Sequence, residues 1–138
     1  MLVRALTAAA LAVTLGLIGG AAQAAPSAWA SGQLKDMDAA GYGAPAPGMT
    51  FEGAVAQGSD GRVTLTIPAA GSYALIGSCG EDCTDIGLIL QQDGKTVAEG
   101  VTGFHAELKP GAYQLMIGFD NCKAAQCRYV VRGYQPKG

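Results

Sequence analysis

Four cysteines are the residues of this sequence whose type and spacing point most directly to chemistry. They form two close pairs, Cys79 with Cys83 and Cys122 with Cys127, in which three and four residues separate the partners. Four thiolates in pairs of this spacing can bind a structural Zn²⁺. In an oxidising compartment, an even number of cysteines forms disulfides instead. The choice between zinc and disulfides therefore depends on where the protein resides.

Acidic and amide side chains flank both cysteine pairs. Glu81, Asp82 and Asp85 lie within or just after the first pair, and Asp120 and Asn121 precede the second. Carboxylate oxygens on exposed loops bind Ca²⁺ in exported proteins, but a complete site needs about six oxygens. We treat Glu81, Asp82, Asp120 and Asn121 as a candidate binding surface and Asp85 as a candidate calcium ligand. Solvated surface charge is the alternative interpretation.

The residues give little support for catalysis. His105, the only histidine, shares a strand face with Glu107, and this pattern predicts an exposed position rather than a general base. No Gly-x-Ser-x-Gly elbow surrounds a serine. Carboxylates such as Glu81 and Asp120 are candidates for glycoside hydrolysis, but the only tryptophan, Trp29, lies in the N-terminal arm. We predict that the protein is not an enzyme, and a small hydrolase is the alternative.

The first 24 residues predict the compartment. Arg4 supplies a positive start, residues 5–18 are apolar without an acidic residue, and Ala22-Gln23-Ala24 is a small-x-small cleavage site. This pattern predicts a cleaved signal peptide over 1–24, with a membrane anchor as the alternative. Export to the periplasm or the extracellular space favours disulfides over zinc.

Length and charge narrow the class of partner. A chain of 138 residues allows one ordinary domain. Its net charge is −2, which leaves no basic surplus for nucleic acid. After signal cleavage, no later stretch of the sequence is apolar enough to insert stably in a membrane. Protein and polysaccharide are the remaining classes of ligand.

From residue 50 onwards, apolar and polar residues alternate over short stretches, which indicates strands with one buried face. Asp93-Gly94 is a strong hairpin signal. The sequence predicts an all-β antiparallel sandwich over 49–138, after a loose N-terminal arm over 25–48 in which Ser27 caps a short helix. The predicted strands, about eight in number, cover 50–56, 61–67, 72–78, 85–91, 95–99, 103–108, 112–119 and 127–134.

Strand parity groups the loops. If each strand crosses the sandwich once, successive loops alternate between its two ends. The loops at 79–84, 100–102 and 120–126 then share one end. We therefore expect both cysteine pairs and the candidate binding residues at the same end of the molecule.

Two kinds of disulfide connectivity are compatible with that placement. Pairing Cys79 with Cys83 and Cys122 with Cys127 contributes about 2 kcal/mol per disulfide through chain entropy, whereas a crossed pair such as Cys79 with Cys122 contributes about 4 kcal/mol. Bridged Cα atoms must lie within about 7 Å, which restricts the crossed pattern. We favour local pairing, with the crossed pattern left open.

Four pieces of sequence, in order, carry a resemblance to a known family. They are TLTIPAAGSY at 64–73, DIGLIL at 85–90, DGK at 93–95 and LKPGAYQL at 108–115. With these pieces, the stretch from Phe51 to Tyr134 resembles the bacterial pre-peptidase C-terminal (PPC) domain. The resemblance implies a jelly-roll-like sandwich and a non-catalytic role beside secreted hydrolases, and some members bind calcium or polymeric substrates. Gly87 replaces the second aspartate of the family's Asp-x-Asp motif, so that only Asp85 carries over.

We therefore expect a non-catalytic, exported binding or accessory module of the PPC-like type. Its ligand is not specified by the sequence. One alternative is a periplasmic inhibitor of an exported hydrolase such as lysozyme, because acidic loops complement a basic enzyme. The second alternative is a small hydrolase.

Overall fold

The computed structural model describes residues 25–136, so the predicted signal peptide over 1–24 lies outside the described residues. One helix is followed by eight strands. Helix α1 spans Ala28–Ala39, and the strands are β1 (Ala44–Ala56), β2 (Gly61–Ile67), β3 (Gly71–Ser78), β4 (Asp85–Gln92), β5 (Lys95–Val101), β6 (Gly103–Leu108), β7 (Gly111–Asp120) and β8 (Gln126–Gln135).

The strands form two four-stranded sheets. Sheet A has the order β1-β8-β3-β6, and sheet B has the order β2-β7-β4-β5. All pairings between neighbouring strands are antiparallel. This connectivity is that of a jelly roll, in which two sheets pack face to face. The predicted antiparallel sandwich of eight strands is confirmed.

The core between the sheets follows from the alternation in the sequence. On β4, Ile86, Leu88 and Leu90 are buried while the residues between them are more exposed. On β7, Leu115 and Ile117 are fully buried in the same cluster. Because side chains on a strand point alternately to its two faces, this period of two places one face of each sheet in the core.

The hairpin predicted at Asp93-Gly94 is confirmed. These two residues connect β4 and β5, whose register ends at the pair Gln92 and Lys95. Asp93 has φ of 52° and Gly94 has φ of 77°. A two-residue turn with both φ angles positive matches the right-handed twist of the strands, and Asp-Gly tolerates it best.

The segment over 25–48 contains the predicted short helix, but it packs against the sandwich and is not loose. Its helix begins at the predicted cap, where Ser27 Oγ accepts a hydrogen bond from Ala30 N at 3.1 Å. Leu34 and Met37 are buried against the outer face of sheet A, in a second apolar cluster. Their partners on that face, from β3 and β8, are Ala74, Ile76, Val130 and Tyr134.

A polar network also fixes α1 to sheet A. The hydroxyl of Tyr134 donates a hydrogen bond to Asp38 Oδ1 at 2.6 Å. Arg132 Nη1 lies 2.7 Å from the other oxygen of the same carboxylate. The Tyr42 ring, just after the helix, contacts the Tyr134 ring at 5.6 Å between centroids. Helix packing therefore covers the central part of the outer face of sheet A, on β3 and β8. It leaves the outer face of sheet B open.

Candidate functional site

Both disulfides form within their own loops, as predicted. Cys79 pairs with Cys83, with Cα atoms 5.9 Å apart, and Cys122 pairs with Cys127, with Cα atoms 6.1 Å apart. No free cysteine occurs within 25–136. Disulfides persist in oxidising compartments, so the pairing fits a protein that resides in one.

The two disulfide loops lie side by side, which confirms the prediction that they share one end of the sandwich. Thr84 N donates to the carbonyl of Asp120 at 2.9 Å, and Lys123 N donates to the carbonyl of Asp82 at 2.9 Å. The turn at Thr102 lies at the same end, because Thr102 N donates to the carbonyl of Ile86, near the start of β4, at 2.7 Å. This end of the molecule is therefore a connected set of loops.

Asp82, one of the predicted binding residues, is hydrogen-bonded within the protein. Its carboxylate accepts two hydrogen bonds from Arg128, at 3.0 and 3.4 Å. The Arg128 guanidinium in turn lies 4.5 Å from the centroid of the Trp29 ring. Gly80 packs against the same indole, so closely that a Cβ at this position would lie 2.9 Å from Trp29 Nε1. The Asp82–Arg128 ion pair and the contacts of Trp29 therefore hold the first disulfide loop against α1.

The other predicted binding residues are exposed at the same end. Glu81, Asp120 and Asn121 are all accessible to solvent. Asp85 lies directly across from Asp120 in the β4–β7 register. Within 25–136, no group of three or more His, Cys, Asp or Glu side chains is arranged to hold a metal ion. Asp85 and Asp120 together supply fewer oxygens than Ca²⁺ requires.

The open outer face of sheet B carries a row of residues that the sequence analysis did not single out. In the register of neighbouring strands, Gly118 of β7 lies opposite Gly87 of β4, which lies opposite Val101 of β5. Asp60 completes the row, with its Oδ1 3.6 Å from where a Cβ of Gly118 would be. The two glycines leave a shallow depression between taller neighbours.

Of the two rows of residues beside the glycines, one is acidic and the other is apolar. On one side lie Asp120 and Asp85, and on the other lie Met116 and Ile89, which are half-buried. A cavity of about 510 Å³ occupies this position. We call it the glycine trough; it is lined by Asp60, Gly87, Leu88, Ile89, Glu99, Gly100, Val101, Met116, Gly118, Phe119 and Asp120.

A larger groove of about 950 Å³ runs beside β1. Its charged side chains already have partners within the protein. Arg128 pairs with Asp82, and Arg132 pairs with Asp38. Glu52 accepts a hydrogen bond from Ser27 N at 2.9 Å. The side chains that line this groove therefore hold the start of α1 in place. Few of its charged groups are available to bind a ligand.

His105 is exposed on β6, as predicted, and lies opposite Ala74 of β3. It shares the outer face of sheet A with Glu107, which accepts a hydrogen bond from Ser72. Asp120 lies at the end of β7 on the other sheet, and Asp60 directly precedes β2 of that sheet. Because the interior of a sandwich is about 10 Å thick, His105 does not meet these carboxylates.

A scan of protein-family models finds none that matches the chain, and no curated protein matches it in sequence. Among residues 25–136, no helix has the length and apolar character needed to cross a membrane.

Proposed function

We propose that this protein is an exported, non-catalytic binding module, with the outer face of sheet B and the adjoining disulfide-clipped end as its binding surface. The observation that supports this function is the asymmetry of the sandwich. Helix α1 packs on the centre of the outer face of sheet A, whereas no helix packs on the outer face of sheet B within 25–136, where the glycine trough lies open. A rigid sheet face beside tethered loops loses little conformational entropy when it binds a ligand.

The proposed compartment is the periplasm or the extracellular space. The signal-like sequence over 1–24 supports export, and the two disulfides support an oxidising environment. The proposed family is the PPC-like type, on the strength of the four sequence pieces and the jelly-roll order of the strands. Where that family's motif has its second aspartate, Gly87 forms the floor of the trough.

Blocking the trough tests the proposed function. Gly87→Tyr places a large side chain on an open strand position where a Cβ meets no atom within 4 Å. Thr66→Tyr is the matched control, because Thr66 is exposed on β2 of the same sheet, at its opposite end. The oxidised proteins are tested for cosedimentation with purified peptidoglycan sacculi and for retention on immobilised lysozyme.

We expect one of these materials to bind the wild-type protein and Thr66→Tyr. We expect the same material not to bind Gly87→Tyr. If the wild-type protein and Gly87→Tyr bind both materials equally, or if neither material binds at all, the proposed function is contradicted. Circular dichroism and thermal unfolding confirm that both variants are folded.

A protein inhibitor of an exported hydrolase is the second candidate function. The observation that favours it is the number of exposed carboxylates at one end, namely those of Asp60, Glu81, Asp85 and Asp120. Such a surface complements a basic enzyme. Inhibition of lysozyme that weakens with salt and is lost in Asp120→Lys supports this candidate. Inhibition unchanged in Asp120→Lys counts against it.

A further inference from the structure

The glycine trough has two unlike walls, and their difference specifies a ligand. Met116 and Ile89 form an apolar wall, and Asp120 and Asp85 lie on the opposite side of the glycines. Residues at positions i and i+4 of a strand are about 13 Å apart, so the depression is wide enough for one extended side chain. Its floor is the backbone at Gly87 and Gly118.

Lysine and arginine have the complementary pattern. Each has an apolar stem that packs on hydrocarbon and a charged head that remains hydrated or pairs with carboxylate. Accepting the binding function proposed above, we propose that the glycine trough receives a lysine or arginine side chain from a basic protein. The stem lies on Met116 and Ile89, and the charged head reaches the carboxylates of Asp60 and Asp120.

The charges around the trough favour a basic protein as the partner over a second copy of the chain. Arg62 and Glu99 lie at opposite ends of the row that contains Met116 and Ile89, and their charges offset one another. Asp60, Asp85 and Asp120 then leave the face negative. Two such faces brought together repel, because like charges in contact across an interface are strongly unfavourable. Val101, 65% exposed, adds apolar surface that a lysine stem can cover.

The direct test is a titration of the ¹⁵N-labelled, oxidised protein with tetralysine, followed by NMR. Gly87 and Gly118 report binding through their own amide signals. Tetraglutamine is the uncharged control peptide. A tetramer of diaminobutyrate, at a mildly acidic pH, is the control that keeps the charge and shortens the apolar stem.

Variants distinguish binding in the trough from general attraction between opposite charges. Asp120→Asn removes one carboxylate at the trough, and Asp36→Asn removes one exposed carboxylate on α1 as its matched control. Arg62→Gln removes the basic group on β2. Gly87→Tyr fills the floor, and Thr66→Tyr is again its control.

We expect tetralysine to shift the Gly87 and Gly118 signals, with binding weakened about fivefold by Asp120→Asn, the size of one exposed charge pair. Arg62→Gln strengthens binding by about twofold on the same basis. In Gly87→Tyr the Gly118 signal no longer shifts, and the diaminobutyrate tetramer binds more weakly than tetralysine. Asp36→Asn and Thr66→Tyr behave like the wild-type protein.

Three results overturn the proposal. One is an equal loss of binding in Asp36→Asn and Asp120→Asn, which indicates non-specific charge attraction. The second is equal binding of tetralysine to Gly87→Tyr and to the wild-type protein. The third is a set of Gly87 and Gly118 shifts produced by soluble peptidoglycan fragments but not by tetralysine. That third result rejects the basic partner while leaving the proposed binding function intact.

Discussion

Two adjacent acidic residues, Glu81 and Asp82, have different roles although the sequence placed both in one binding surface. Asp82 is paired with Arg128 and is mostly covered, whereas Glu81 is exposed. We expect Asp82→Ala to lower the free energy of unfolding by up to about 1 kcal/mol, because a partly exposed ion pair contributes no more than this. Glu81→Ala is the neighbouring control and leaves stability unchanged. Chemical denaturation measures both, and equal effects of the two variants contradict the assignment.

Tyr134 predicts the response to alkaline pH. Its burial, followed by its hydrogen bond to Asp38, raises the pKa of the phenol above the ordinary value of 10.0. The unfolded chain therefore releases this proton at a lower pH than the folded protein does. The stability that Tyr134 contributes is present below about pH 10 and is lost as the pH rises further.

Tyr134→Phe isolates this effect. We expect the variant to lose about 1 kcal/mol near neutral pH through the missing hydrogen bond. Above pH 10 its free energy of unfolding declines less steeply than that of the wild-type protein. Urea denaturation across this pH range measures both slopes, and parallel slopes show that another group is responsible.

At the scale of elements, α1 is held to sheet A chiefly by its apolar face. Leu34 is 4% exposed in the cluster between the helix and the sheet. We expect Leu34→Ala to cost about 2 to 3 kcal/mol, at the lower end for large-to-small core substitutions. Lys35→Ala, the exposed neighbour on the helix, changes stability little. Thermal unfolding measures the difference, and equal melting temperatures indicate that the helix is not part of the cooperative fold.

The strands were predictable because the alternation of apolar and polar residues along each strand indicates one buried face. The span of β2, Gly61–Ile67, and that of β6, Gly103–Leu108, match their predicted bounds. The docking of α1 was missed because the helix is short and buries only three residues, Ala30, Leu34 and Met37. The available signal lay in sheet A, where β3 has buried residues on both faces from Tyr73 to Ile76. A continuous apolar run indicates a strand covered on both sides.

The site was predictable only in part, and for a physical reason. Strand parity placed the disulfide loops together correctly, because it depends on chain order alone. The trough depends on register across neighbouring strands, which aligns Gly87 with Gly118. The alternation along one strand shows which residues face the core, but a shift of two residues keeps the same face buried, so the alternation alone does not identify each residue's partner. Glu99, which pairs with Ile89, was missed for the same reason. Asp60 lies in the loop between β1 and β2, which the sequence analysis did not assign to this end.

At the scale of the whole molecule, the two disulfides stabilise loops that already share hydrogen bonds. Each closes a short loop, so we expect each to contribute about 2 kcal/mol through chain entropy. Replacing Cys122 and Cys127 together with alanine lowers the melting temperature by several degrees without unfolding the sandwich. The Cys79 and Cys83 double variant is the comparison. Loss of folding in either variant indicates that the sandwich depends on its disulfides.

Calcium provides the last prediction for the whole molecule. Asp85 and Asp120 are opposed at the end of sheet B, but no group of three potential metal ligands exists within 25–136. A ligand present at 100 times its Kd stabilises the folded state by about 2.7 kcal/mol. We expect the oxidised protein to melt at the same temperature in EDTA and in millimolar Ca²⁺. A calcium-dependent rise that is lost in Asp85→Ala overturns this expectation and indicates a metal site at that end. A rise that persists in Asp85→Ala places the calcium elsewhere.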